Sequence, residues 1–215
     1  TLLNALLHHA PSLQKLPRAG IIHRLDKETT GLLVIAKTPT ALTSLTAQLK
    51  ARTISRIYQT VVAGLLISGN TIKAPMARHP IQRKRMAVSD AYDLKAKPAI
   101  THYRVMEQYR AHTRLKVQLE TGRTHQIRVH MAHIHHAVVG DPVYGGRLQL
   151  PKGASPELVV ELRGFKRQAL HAYELGLIHP LTQEHIQWRA PLPADMLQLI
   201  RCLRADIAVE YDEDE

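Results

Sequence analysis

The chain has 215 residues, 45% of them hydrophobic, and a formal charge of +11 from 29 Lys and Arg against 18 Asp and Glu. That length suits one domain with a substantial core, with or without an appendage, and the single cysteine, Cys202, excludes a disulfide framework and a cysteine-based zinc site. No apolar run approaches the roughly 20 residues of a membrane span and no secretory leader opens the chain, so a soluble protein of the reducing cytoplasm is expected.

In chain order, residues 1–9 carry leucines at helical spacing, and Pro11 and Pro17 then interrupt the chain. Residues 30–37 form a short, apolar, partly β-branched run and predict a buried strand. Leu42, Leu45 and Leu49 place a helix in 40–51, and Ser55–Ala63 predicts a strand ending at Gly64. The segment 65–97 mixes Gly, Pro and basic residues and reads as loops and short hairpins. Segments 101–107 and 113–120 predict an antiparallel pair, the second alternating Leu115, Val117 and Leu119 with Arg114, Lys116, Gln118 and Glu120. A helix is expected after Gly122 with Thr124 as its N-cap. Leu170–Ile178 and His185–Arg189 predict a second strand pair, and 193–204 a closing helix. The sum is an α+β domain with a mixed, mostly antiparallel central sheet flanked by helices and loops.

Charge is unevenly spread. Six of the 18 acids lie in residues 206–215, where there is no Lys or Arg. The remainder is therefore strongly basic, which points to a polyanionic partner, nucleic acid before an anionic membrane surface. The acidic end reads as a solvated tail. Seven Tyr, one Trp and one Phe are few for a domain that grips single strands by stacking alone. Arg83-Lys84-Arg85 is a candidate RNA-contact patch, or equally a solvated run.

Two stretches concentrate chemistry. His23-Arg24-Leu25-Asp26-Lys27, before Glu28-Thr29-Thr30-Gly31, sets one carboxylate between two cations in a loop. A carboxylate so placed is expected to stay ionised, which suits a nucleophile or base; an Asp ahead of a strand is also a common turn former. Thr121-Gly122-Arg123-Thr124-His125-Gln126-Ile127-Arg128-Val129-His130-Met131 is the second. On a helix Ile127, Met131 and Ile134 share an apolar stripe, with Arg128 at its edge and Gln126, His130 and His133 opposite. A half-buried Arg128 wants a carboxylate, and a bidentate fork would lock it; periodicity alone favours a helix that merely carries polar residues along one side. Fourteen histidines raise a metal site, for which His130, His133, His135 and His136 are the nearest set. They mix helix faces, so none is expected.

The first stretch resembles the hallmark of the RluA/RluC/RluD family of pseudouridine synthases, and the second resembles its GR-x-H-Q-I-R-x-H-M signature. Ser55-Arg56-Ile57-Tyr58 resembles the family strand that carries a tyrosine against the target base, and Val139-Gly140-Asp141-Pro142-Val143-Tyr144-Gly145 its GD-x-x-YG turn. Arg78-His79-Pro80, Lys97-Pro98-Ala99 and Pro151-Lys152-Gly153, among other stretches, are similar to the branch acting on the helix 69 stem-loop of 23S ribosomal RNA. The resemblance implies the pseudouridine synthase fold and a catalytic Asp26 paired with Arg128. Tyr58 and Ile127 would support the site. Arg24 would enter the space left by a flipped base, and Arg123, His125, Gln126, Arg83, Lys84 and Arg85 would contact RNA. It implies no cofactor and no metal, a monomer, and a role in large-subunit maturation.

Against the family pattern, the chain starts after the S4-like domain and the opening strands, and His135-His136-Ala137 replaces Gly-His-Pro. The expected organisation is a catalytic domain over 1–205, front strands missing, and an acidic tail over 206–215. The competing readings are a family member acting on another rRNA or tRNA loop, a non-catalytic basic RNA-binding module, and a metal-dependent nuclease using Asp26, Asp141 and histidines.

Overall fold

The computed structural model of the chain describes residues 1–90 and 92–208. Helix α1 (Leu2–His9) is capped by the Thr1 hydroxyl, which accepts from the Asn4 N–H. Two 3₁₀ turns follow, and β1 (Thr30–Gly31) leads to α2 (Pro39–Ala51), whose Thr38 cap accepts from the Ala41 N–H. Then come β2 (Ser55–Ala63), β3 (Asn70–Lys73), β4 (Met76–Arg78), β5 (Met86–Val88), β6 (Ile100–Gln108) and β7 (His112–Leu119). Helices α3 (Gln126–His133) and α4 (Pro156–Gly164), strands β8 (Leu170–Ile178) and β9 (His185–Arg189), and helix α5 (Ala194–Ala208) complete the chain.

Among the described residues the main sheet has seven strands in the order β1-β8-β2-β7-β6-β3, antiparallel but for β1 on β8, with β9 also paired to β8. Strands β4 and β5 form a separate hairpin. The alternation read in 113–120 holds: Leu115 and Val117 are fully covered, Lys116 and Gln118 exposed. β2, between β7 and β8, is buried along nearly its whole length. The principal core joins Val61, Leu115 and Val117 of the sheet to Met131 of α3, Leu158 and Leu162 of α4, and Met196, Leu199 and Leu203 of α5. No helix of the described residues is long and apolar enough to cross a membrane.

Four sequence readings are corrected. The strand expected over 30–37 shrinks to Thr30–Gly31, because β9 takes the same edge of β8 from Glu174 onward. Leu32 and Val34 instead pack beside Ala36, Leu45 and Leu175 in a second cluster. Helix α4 was not anticipated, although Ser155-Pro156 is a legible start: the Ser155 hydroxyl accepts from the Leu158 N–H and proline takes the first turn. Thr124 is not the N-cap of α3; His125 holds that place in a left-handed conformation, φ 59°, without capping through its side chain. Finally, Asp206 is no tail residue. It is buried in α5, accepting from the Ser155 N–H at 2.8 Å and pairing with Arg110 at 3.0 Å. The rest of the acidic run beyond residue 208 lies outside the described residues.

Candidate active site

A cavity of about 510 Å³ opens where the 23–29 loop, β2 and the 119–127 segment meet. The loop is anchored from behind. Gln168, buried ahead of β8, donates through Nε2 to the Lys27 carbonyl at 2.6 Å and the Thr29 hydroxyl at 2.9 Å, and Arg167 donates to the Glu28 carbonyl at 3.2 Å. The Thr29 N–H closes a turn onto the Asp26 carbonyl. Gly31 has φ 107°, and a Cβ there would meet the Ala172 carbonyl oxygen at 2.2 Å. Only glycine lets β1 approach β8 this closely, which explains the last residue of the first motif.

Asp26 lines the cavity with its carboxylate largely covered. The cation that touches it is Arg128, Nη1 to Oδ2 at 3.4 Å. The expected sandwich between Arg24 and Lys27 does not form: Lys27 points out and pairs with Glu28, and Arg24 is exposed at the cavity lining. The bidentate fork goes elsewhere too. Arg128 Nε and Nη2 donate to Asp141 at 2.6 and 2.8 Å. The Asp141 side chain is fully buried and also accepts from the N–H groups of Val143 and Tyr144. Burial opposes both charges, yet the pairing prevails: the Asp141 carboxyl is held below the usual carboxylate range and Arg128 above its own.

Tyr144 ties this network together. The Arg128 guanidinium lies 5.1 Å from its ring centre and Arg85 5.5 Å. Its hydroxyl accepts from the Met86 N–H and bonds His125 Nδ1 at 2.8 Å. The β4–β5 hairpin thereby docks on the site, and Arg85 spends its guanidinium on Tyr144 and on Gln82. Arg83 and Lys84 remain exposed at the hairpin tip.

Tyr58 and Ile127 line the cavity as expected. Burial, with a contribution from Asp26, pushes the Tyr58 phenol up to about 12, so it is neutral at physiological pH. Arg123 reaches the Pro98 carbonyl while still lining the cavity. Gln126 departs from the RNA-contact expectation. It is 2% exposed; its Oε1 accepts from the Thr121 hydroxyl and the Arg123 N–H, and its Nε2 donates to the Ile100 carbonyl and Thr101 Oγ1. With both ends of the amide engaged inside, it shapes the turn at the lining of the cavity. His130, also expected on the polar side, is buried between Thr101 and the Ala74 carbonyl. Among the described residues no three His, Cys, Asp or Glu side chains converge on a metal position.

Sequence reading missed Asp141 as the partner of Arg128 and Gln168 as the anchor of the loop. The GD turn was visible, but nothing in its spacing tells that its carboxylate meets an arginine thirteen residues earlier.

A largely covered carboxylate touched by an arginine thus stands with a neutral tyrosine at one cavity with a basic lining. The sequence model of the RNA pseudouridylate synthase family matches residues 6–133, and the chain belongs to that family. It is 59% identical over 206 residues to "Ribosomal large subunit pseudouridine synthase D" of Pseudomonas aeruginosa, covering 96% of this chain and 63% of the relative. It is 55% identical over 213 residues to the protein of that name from Escherichia coli (strain K12), covering 99% and 64%. The chain thus spans somewhat under two thirds of these relatives. Among solved structures, human RNA Pseudouridylate Synthase Domain Containing 4 superposes with a TM-score of 0.71 at 23% identity, covering 86% of this chain and 75% of that one. The human Domain Containing 1 protein gives 0.68 at 25% identity, covering 95% and 85%. The fold is that of the pseudouridylate synthase domains, as the sequence predicted.

Proposed function

We propose that this chain converts uridine to pseudouridine in large-subunit ribosomal RNA, with the helix 69 stem-loop of 23S RNA as its target. The observation that carries the reading is the Asp26 carboxylate inside the basic cavity, touched by Arg128 and close to Tyr58. In the reaction the C1′–N1 bond of uridine breaks, the uracil turns, and C1′ bonds to C5; the C5 proton leaves and N1 gains one. Asp26 supplies the negative oxygen at the sugar, and Arg128 aims it. Tyr58 packs on the uracil as a neutral phenol, so it offers a surface and a proton rather than a base. Arg24, exposed beside Asp26, fills the stack left by the flipped base, which costs least in a loop. Nothing is oxidised and no group is carried away, so the chemistry calls for neither cofactor nor metal. All these side chains belong to one chain, so a monomer suffices. The proposed organisation is a catalytic domain reaching to the end of α5.

The test is direct. The chain is incubated with 23S RNA and with a synthetic helix 69 stem-loop, in excess chelator, and pseudouridine is mapped by base-specific chemistry. Pseudouridine at loop positions of helix 69 is expected. Its absence from both RNAs would sink the reading, and modification elsewhere only would move the substrate to another loop.

A further inference from the structure

Arg56 has no part in the reaction as described, yet among the described residues it is the buried cation of the cavity lining. It stands on β2 two residues before Tyr58, and both line the cavity. It is 8% exposed, and among the described residues it forms no ion pair. One hydrogen bond holds it, from Nη2 to the Glu120 carbonyl at 3.3 Å, while its Nε is buried with no partner. The Glu120 carboxylate is turned away, engaged by His102 at 2.6 Å and Arg52 at 3.5 Å. Burial correspondingly pushes the Arg56 pKa down.

The surroundings are built to keep this charge in place without neutralising it. A Cβ on Gly122 would come within 2.6 Å of Arg56 Nη1, so the glycine of the second signature leaves the room the guanidinium occupies. His23 is neutral, since its Nε2 accepts from the Val34 N–H and burial together with Arg56 lowers its pKa to about 4. Lys50, Arg52 and Arg123 line the same cavity. A covered guanidinium without a counter-ion is costly, and a phosphate, which it can grip with two parallel bonds, relieves that cost well.

Resting on the synthase reading above, we propose that Arg56 is a phosphate site: it binds a non-bridging oxygen of the RNA backbone next to the nucleotide held in the cavity. The flanking cations continue the path of the strand. The target nucleotide is then fixed at two points, its sugar at Asp26 and its backbone at Arg56.

The experiment measures single-turnover pseudouridine formation on helix 69 stem-loops while the enzyme concentration is varied. The native chain, Arg56→Met and Arg56→Lys are compared on unmodified RNA and on RNA with neutral methylphosphonates flanking the target uridine. Arg56→Met should raise the half-saturating concentration roughly tenfold to a hundredfold, with a much smaller change in maximum rate. Arg56→Lys should recover part of the affinity. A neutral linkage should weaken the native chain by a similar factor and Arg56→Met hardly at all. Equal methylphosphonate penalties in the two proteins overturn the proposal, as does a loss confined to maximum rate, which a contact with the departing uracil would give. Should Arg56→Met fail to fold, Arg56→Lys decides: a reduced penalty supports the site and an unchanged one overturns it. If the native chain makes no pseudouridine on unmodified RNA, the synthase reading falls, and this inference with it.

Discussion

Arg128 and Arg56 are both more than nine-tenths buried, and they live in opposite circumstances. Arg128 is saturated: a fork to Asp141, a contact to Asp26 and the face of Tyr144. Arg56 holds one backbone carbonyl and nothing charged. The contrast separates a preorganised region from a receptive one. Groups that must be in place before the substrate arrives are satisfied by the protein itself. A group meant for the substrate is left short of partners, because a bond already made inside the protein would have to be broken on binding.

The largest effect should come from cutting the saturated side. Arg128→Met removes the aim of Asp26, and turnover should fall by about a thousandfold or more. It also strands Asp141 as a buried, unpaired carboxylate, so unfolding in urea should show a loss of about 3–5 kcal/mol. Adding Asp141→Asn should restore part of that stability and none of the activity. A double variant that regains turnover would show that Arg128 serves packing rather than chemistry.

Asp141→Asn alone is the next step down. The amide keeps the size and the two backbone N–H contacts can partly persist, but the charged fork is lost. Arg128 then swings more freely, and turnover should fall by about a hundredfold, the usual cost of a small misplacement, with RNA affinity little changed. An affinity loss with normal turnover would place Asp141 on the RNA-binding side instead.

What the sequence disclosed follows the same division. The 23–31 and 121–131 stretches were legible because their residues are contiguous and each serves one turn. They located Asp26, Arg128 and Ile127 at or beside one cavity, and the shorter Ser55–Tyr58 stretch added Tyr58. The partner of the fork was not legible: Arg128 expects a carboxylate, and Asp26, Asp141 and their loops are equivalent until distances are known. Lys27, adjacent in sequence to Asp26, points away from it, while Arg128, 102 residues later, touches it. Gln126 stood among the RNA contacts through the resemblance, and only the tertiary turn shows its amide closed on Thr121 and Ile100. The apolar 30–37 run gave partial burial but not pairing, since competition with β9 for the edge of β8 involves residues distant in the chain. The alternation of β7 needed no such information, and it was read correctly.

The smallest effect concerns pH. Burial lowers His23 and His112 from 6.5 to about 4. The unfolded chain takes up protons at both near 6.5, the folded chain only near 4, so within that window the unfolded state binds more protons. Stability from these two groups is fully present above 6.5 and declines as pH falls toward 4. Urea unfolding between pH 7 and 4.5 should show this decline, and His112→Gln should make it shallower. An unchanged slope would assign the acid sensitivity to the saturated carboxylate region.

The central claim rests on Asp26, and Asp26→Asn tests it most directly. Asn forms the same local turns as Asp, and it removes only the charge. The account predicts that this variant folds, binds the helix 69 stem-loop with an affinity near that of the native chain, and makes no pseudouridine with enzyme in excess in a single turnover. Retention of a substantial fraction of native activity would contradict it and return Asp26 to the role of a turn residue.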